Sequence, residues 1–124
     1  MAVDLKSINP ICEEYIPGWG EENICVKLRR PSLLLMAKGG TIPNSLMATA
    51  QKLFNGGKGT AEIPLKEMAE LLYIVAEHAL VEPSMKEIEE TGLELTDLQL
   101  SSIFNFTQLG CKALEPFHPV KKNN

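Results

Sequence analysis

Hydrophobic and polar positions repeat with two different periods along this chain, and the change of period locates its elements. From Ile24 to Arg30 the period is two: Ile24, Val26 and Leu28 fall on one side, and Cys25, Lys27 and Arg29 on the other. That alternation predicts a half-buried strand. Tyr15 and Ile16 predict a partner strand across a Pro17–Asn23 turn. The rest of segment 1–22, punctuated by Pro10, Pro17, Gly18 and Gly20, reads as irregular. Beyond it the pattern turns helical. Pro31 fits the first position of a helix over Ser32–Lys38, because its missing N–H costs nothing there, and Gly39–Gly40 stops that helix. Pro43 opens a second helix, in which Leu46, Met47, Ala50, Leu53 and Phe54 make one stripe before Asn55-Gly56-Gly57 ends it.

Pro64 opens the longest helix, predicted to run to about Val81. Leu65, Met68, Leu71, Leu72, Val75, Ala76 and Ala79 share one of its faces. Glu82–Pro83 terminates it, since the residue before a proline disfavours helical angles. Residues 84–95 are polar and acidic, with a helical turn expected around Met85–Glu90. Thr96-Asp-Leu-Gln99 is a capping-box pattern, and the helix it starts carries Leu100, Ile103, Phe104 and Leu109 and ends near Gly110. The polar tail from Pro116 to Asn124 is predicted to be mobile. No repeat or linker divides the chain. The expectation is one domain over residues 1–124, mostly α, of about four helices with a short N-terminal β element and a core drawn from 24–110.

Composition narrows the function classes. A chain of 124 residues with 44% hydrophobic and 23% charged residues is one ordinary globular domain. No apolar run approaches the ~20 residues of a membrane helix. Residues Met1 to Asn9 include Asp4 and Lys6 and no apolar stretch, so no secretory leader is expected and the protein is placed in the cytoplasm. Cys12, Cys25 and Cys111 are odd in number and irregularly spaced, which predicts reduced thiols. A net charge of -4 argues against a simple electrostatic nucleic-acid binder.

The distribution of charge says more than the total. Residues 23–61 carry Lys27, Arg29, Arg30, Lys38, Lys52 and Lys58 and no acid, whereas 62–97 carry ten acids against Lys66 and Lys86. Two such blocks can pair within one fold or between copies, and head-to-tail self-association that weakens with salt is the expectation.

Catalytic and ligand motifs fail on inspection. Gly56-Gly-Lys-Gly-Thr60 lacks the Lys-Ser/Thr step and the strand–loop–helix context of a phosphate loop. His78 and His118 have no partner at metal-ligand spacing, and Glu87, Glu89, Glu90 and Glu94 do not match a calcium loop. Asn105-Phe-Thr107 is a chance sequon inside an apolar helix. Lys27-Leu-Arg-Arg30 could contact phosphates but is very short. With no nucleophile, acid–base pair or cofactor loop, the residues predict a binding or assembly protein without enzyme activity, metal or cofactor.

Three stretches taken together resemble a known family. They are Leu28-Arg-Arg-Pro-Ser-Leu-Leu34 followed by Lys38-Gly-Gly-Thr-Ile-Pro-Asn-Ser-Leu46, then Ala79-Leu-Val-Glu-Pro83, then Leu95-Thr-Asp-Leu-Gln-Leu-Ser-Ser-Ile-Phe-Asn105. In this order they resemble the tail assembly chaperones of long-tailed phages and prophages of Gram-positive hosts, over residues 24–110. The resemblance implies a non-enzymatic protein that binds the long, helical tape measure protein before the tail tube forms around it. A chaperone of that kind needs an apolar groove between helices. Met47, Leu53, Phe54, Met68 and Met85 are the candidates to line it, methionine being adaptable to varied partners. A head–tail connector, a tail completion protein and a small nucleic-acid regulator acting through the 23–61 block are the alternatives. The resemblance also implies two products of one gene, the longer made by frameshifting, for which the closing Lys121-Lys122-Asn123-Asn124 could encode an adenine-rich slippery run.

Overall fold

A computed structural model describes residues 3–55 and 63–119. The fold is mostly α with a small antiparallel sheet. Strand β1 (Cys12–Pro17) pairs with β2 (Asn23–Leu28), and β2 pairs in turn with β3 (Leu80–Glu82). The helices are α1 (Leu33–Lys38), α2 (Met47–Phe54), α3 (Leu65–Ala79), α4 (Met85–Glu90) and α5 (Asp97–Leu109). Short 3-10 segments cover Leu5–Ser7, Asn44–Leu46 and Gly110–Phe117. Only α2, α3 and α5 among these α-helices reach eight residues, so the expected four helices become three substantial ones and two single turns.

The β1–β2 hairpin follows the predicted alternation. Glu14 lies opposite Val26 and Ile16 opposite Ile24, so even-numbered residues face inward. Segment 1–22 is therefore less irregular than expected, since the strand takes up Cys12–Pro17. Helix α1 begins one residue later than Pro31 suggests: Ser32 is its N-cap, its side chain accepting a bond from the Leu35 N–H. Pro43 likewise precedes a 3-10 turn, and the α-helix proper starts at Met47. The Gly56–Gly57 stop and the Gly56–Thr60 loop lie outside the described residues. Cys25 is free and exposed, and the side chain of Cys111 lies outside the described residues.

Helix α3 ends at Ala79, short of the predicted Val81. The cause is tertiary: Leu80 and Glu82 pair with Leu28 and Lys27 and make the third strand, which the sequence pattern did not predict. The predicted capping box forms, and a second one, not predicted from the sequence, forms as well. Thr96 and Gln99 exchange side-chain-to-backbone bonds at the start of α5, and Ser84 and Glu87 do the same for α4.

Two buried clusters fill the interior. One joins Val26, Leu28, Ile103, Phe106 and Leu114 between the sheet, α5 and the C-terminal 3-10 segment. The other joins Leu33, Ile42, Leu46, Leu71 and Phe104 among α1, α2, α3 and α5. Helices α3 and α5 serve both, since adjacent residues Val75 and Ala76, and again Ile103 and Phe104, fall in different clusters. Burying each such side chain contributes about 1.5–3 kcal/mol.

The predicted mobile tail is partly a correction. Phe117 packs against the first cluster, and His118 donates from Nε2 to the buried carboxylate of Glu14 at 2.9 Å. Residues 120–124 lie outside the described residues.

Candidate functional site

The chemistry-bearing residues of the sequence are used structurally. Arg29 donates from Nε to the His78 carbonyl at 2.8 Å, at the end of α3. Arg30 donates from Nε and Nη2 to the carbonyls of Thr107 and Gln108, at the end of α5. Consecutive arginines thus cap two different helix C-termini, where cations offset the dipole. Lys27 pairs with Glu82 at 3.9 Å. Lys27, Arg29 and Arg30 thus each have a structural partner within the fold, which is the role the structure shows for Lys27–Arg30. His78 donates from Nδ1 to the Ile74 carbonyl, within its own helix. Among the described residues no cluster of His, Cys, Asp or Glu could hold a metal ion, and no helix is long and apolar enough to cross a membrane.

The feature that does stand out is a run of shallow recesses along α5. The middle recess, about 610 Å³, lies where α2, α3 and α5 meet. Leu53 and Phe54 come from the last turn of α2, Met68 and Leu72 from one stripe of α3, and Phe104 and Leu109 from α5. Ser101, Asn105 and Gln108 complete the lining, so among the described residues no charged side chain takes part. Phe54 is 48% exposed and Leu109 67% exposed, although both belong to helices that bury other residues in the core, Ala50 in α2 and Ile103 and Phe106 in α5. Phe54 and Gln108 continue into a second recess lined by Arg30 and Leu34. At the other end, Leu100, Ala69 and Tyr73 open a third recess flanked by Glu89 and Glu94. There Tyr73 donates its hydroxyl to Glu89. That bond, with some burial and the charges of Glu89 and Glu77, pushes the Tyr73 phenol up to about 12.

Of the five side chains expected to line a groove, Leu53, Phe54 and Met68 meet in the middle recess. Met47 is half-buried against the second cluster and does not line it. Met85 is 4% exposed and belongs to the first core cluster, because α4 folds onto the protein; the surface it keeps lines the recess beside Glu89 and Glu94, not the middle one. Sequence reasoning read Phe104 and Leu109 only as apolar positions of α5; both line the recess, Phe104 while also belonging to the second cluster. It missed Ser101, Asn105 and Gln108, whose uncharged polarity at i, i+4 and i+7 on one face of α5 was the available signal. No family model matches the chain, and no curated protein and no solved structure matches it.

Proposed function

We propose that this chain is a non-enzymatic assembly chaperone of a phage tail, which holds an amphipathic helical segment of the tape measure protein until the tail tube assembles. The observation that carries the reading is the uncharged recess in which Leu53, Phe54 and Met68 meet Leu72, Phe104 and Leu109. Apolar side chains left open at a three-helix junction suit the apolar stripe of a partner helix, with anchors at i, i+3, i+4 and i+7. Met68 and the uncharged amides of Asn105 and Gln108 let the surface accept varied sequences without a buried unpaired charge. The family resemblance of residues 24–110 supplies the identity of the helical partner.

Co-expression with the long open reading frame that this reading expects downstream of the gene tests the proposal. The expected result is that the long protein becomes soluble and the two co-purify, and that Phe54→Asp abolishes the complex while the variant chain stays folded by circular dichroism. Equal solubility of the long protein alone, with no complex, overturns it.

A further inference from the structure

Residues 3–11, which lead into β1, carry Val3, Leu5, Ile8 and Ile11, and all four are exposed. Leu5 is 77% and Ile8 51% exposed. The Ile8 N–H donates to the Leu5 carbonyl at 3.3 Å across the 3-10 turn Leu5–Ser7. Side chains three residues apart eclipse on such a turn, so Leu5 and Ile8 make one apolar edge. Among the described residues, the hydrogen bonds of this segment stay within it. Asp4 accepts from Lys6 and Ser7 through its carboxylate and its carbonyl, and Asn9 accepts from the Ile11 N–H. No side chain of the segment joins either buried cluster. The fold thus carries an apolar edge that it does not bury, and a middle recess that leaves Phe54 and Leu109 open.

We infer that residues 3–11 of one copy dock in the middle recess of a second copy, with Leu5 and Ile8 against Phe54, Met68 and Leu109. Charge fits this occupant. Asp4 and Lys6 cancel, so the segment brings no net charge to a lining that has none among the described residues. Arg30 lines the adjoining recess, which shares Phe54 and Gln108 with the middle one, and offers Asp4 a cation at the rim. The segment's own molecule holds it elsewhere. Asn9 and Pro10 sit beside Arg29, Pro31 and His78, in a recess that has no lining residue in common with the middle one. The inference rests on the middle recess as an apolar docking surface, not on which client helix it takes. It adds a regulation to that surface: the segment and a client helix need the same side chains, so each displaces the other by mass action.

Sedimentation equilibrium of the full chain alone provides the test. Two or three aliphatic side chains must offset the lost freedom of association, which sets a weak Kd of about 100 µM. The parent chain should be largely associated at about 1 mM and largely monomeric at about 10 µM. Leu5→Asp combined with Ile8→Asp in one chain, and Phe54→Asp in another, should each weaken association about tenfold or more. Leu109→Asp takes the place of Phe54→Asp if the latter does not fold. An equimolar mixture of the segment variant and the recess variant should recover association, because one supplies the recess and the other the segment. Salt at about 0.5 M should leave the contact intact, since it buries apolar surface rather than exposed charge. A parent chain that stays monomeric at about 1 mM overturns the inference and leaves client capture standing. A mixture no more associated than its components overturns it as well, and so does association lost with salt, which would assign the contact to the charged blocks. Self-association as expected, with no client captured on co-expression, supports the inference and overturns the client reading alone.

Discussion

Arg30 donates from Nη2 to the Gln108 carbonyl at 3.1 Å and so ties the end of β2 to the last turn of α5. The same guanidinium reaches the Thr107 carbonyl through Nε, and Gly110 lies directly beneath it. Gly110 has φ of +80°, and a Cβ there would sit 3.2 Å from Arg30 Nη1. One side chain therefore closes the helix that lines the middle recess, and one glycine makes room for it.

Arg30→Ala is expected to lower unfolding stability by about 1–3 kcal/mol, the range for bonds to a charged donor whose partners lose their only cap. Arg30→Lys recovers less than half of the loss, because an ammonium cannot reproduce the fork. Gly110→Ala costs about 1–3 kcal/mol through its backbone angles alone. Urea denaturation of the three variants checks the order. A fully stable Gly110→Ala would show that the left-handed turn is not required.

The two members of the α5 capping box are not equivalent. Thr96 only caps, whereas the fully buried Gln99 also donates from Nε2 to the Pro17 carbonyl at 2.8 Å, pinning the hairpin to the helix. Thr96→Ala is expected to cost about 1 kcal/mol. Gln99→Ala should cost roughly 2–3 kcal/mol, since it also strands a carbonyl and leaves a void. Chemical denaturation that finds Thr96→Ala the more damaging would contradict the assignment.

Local signals made the helices and the hairpin legible, and non-local ones remained hidden. Thr96-x-x-Gln99 announced α5, and the equivalent Ser84-x-x-Glu87 box, which forms at α4, was an unused signal of the same kind. Tyr15 and Ile16 suggested β1, but Glu13 and Glu14 interrupt the apolar alternation. An inward Glu14 is tolerable only because His118, 104 residues later, donates to it. Strand β3 is unreadable locally, because Leu80–Glu82 continues a helical stripe until β2 pairs with it. At the middle recess the residue types were legible and their exposure was not. Met68 and Met85 look alike in sequence, yet tertiary packing opens one to the recess and buries the other.

The Glu14–His118 bond joins β1 to the C-terminal 3-10 segment, and Tyr15 meets the same imidazole edge-on with ring centroids 5.9 Å apart. A double-mutant cycle over Glu14→Gln and His118→Ala should give a coupling of about 0.5–3 kcal/mol. His118→Ala alone should expose Phe117 and raise proteolysis after Leu114. Zero coupling would mean that the two groups only happen to be near each other.

Tyr73 links α3 to α4 through Glu89, and its phenol is raised from 10.0 to about 12 by that bond first and by burial and nearby carboxylates after it. A folded-state value above the unfolded one means that the protonated phenol contributes stability fully below pH 10, a contribution lost as pH rises through about 12. In a spectrophotometric titration one tyrosine should ionise late, and Tyr73→Phe should remove that late phase while flattening the fall in stability between those two values. A late phase that persists in Tyr73→Phe would contradict the assignment to Tyr73.

Met68 and Met85 separate binding from folding. Met85 is 4% exposed within the first cluster, so Met85→Ala removes packed volume and should cost about 2–5 kcal/mol of stability. Met68 is half-buried at the floor of the open recess, and its truncation leaves a surface that water already reaches. Met68→Ala should therefore cost under about 1 kcal/mol in folding. Partner affinity should move the other way. Met68→Ala should weaken binding of the tape measure segment by about 1–2 kcal/mol, roughly five- to thirtyfold, as expected for an anchor contact in a helix-lined groove. Met85→Ala, measured where it is still folded, should leave affinity within about twofold of the parent. Thermal denaturation and anisotropy on the same two preparations decide it. If Met85→Ala weakened binding while Met68→Ala did not, the contact surface would lie at the acidic recess beside α4, and the apolar junction of α2, α3 and α5 would not be where the partner sits.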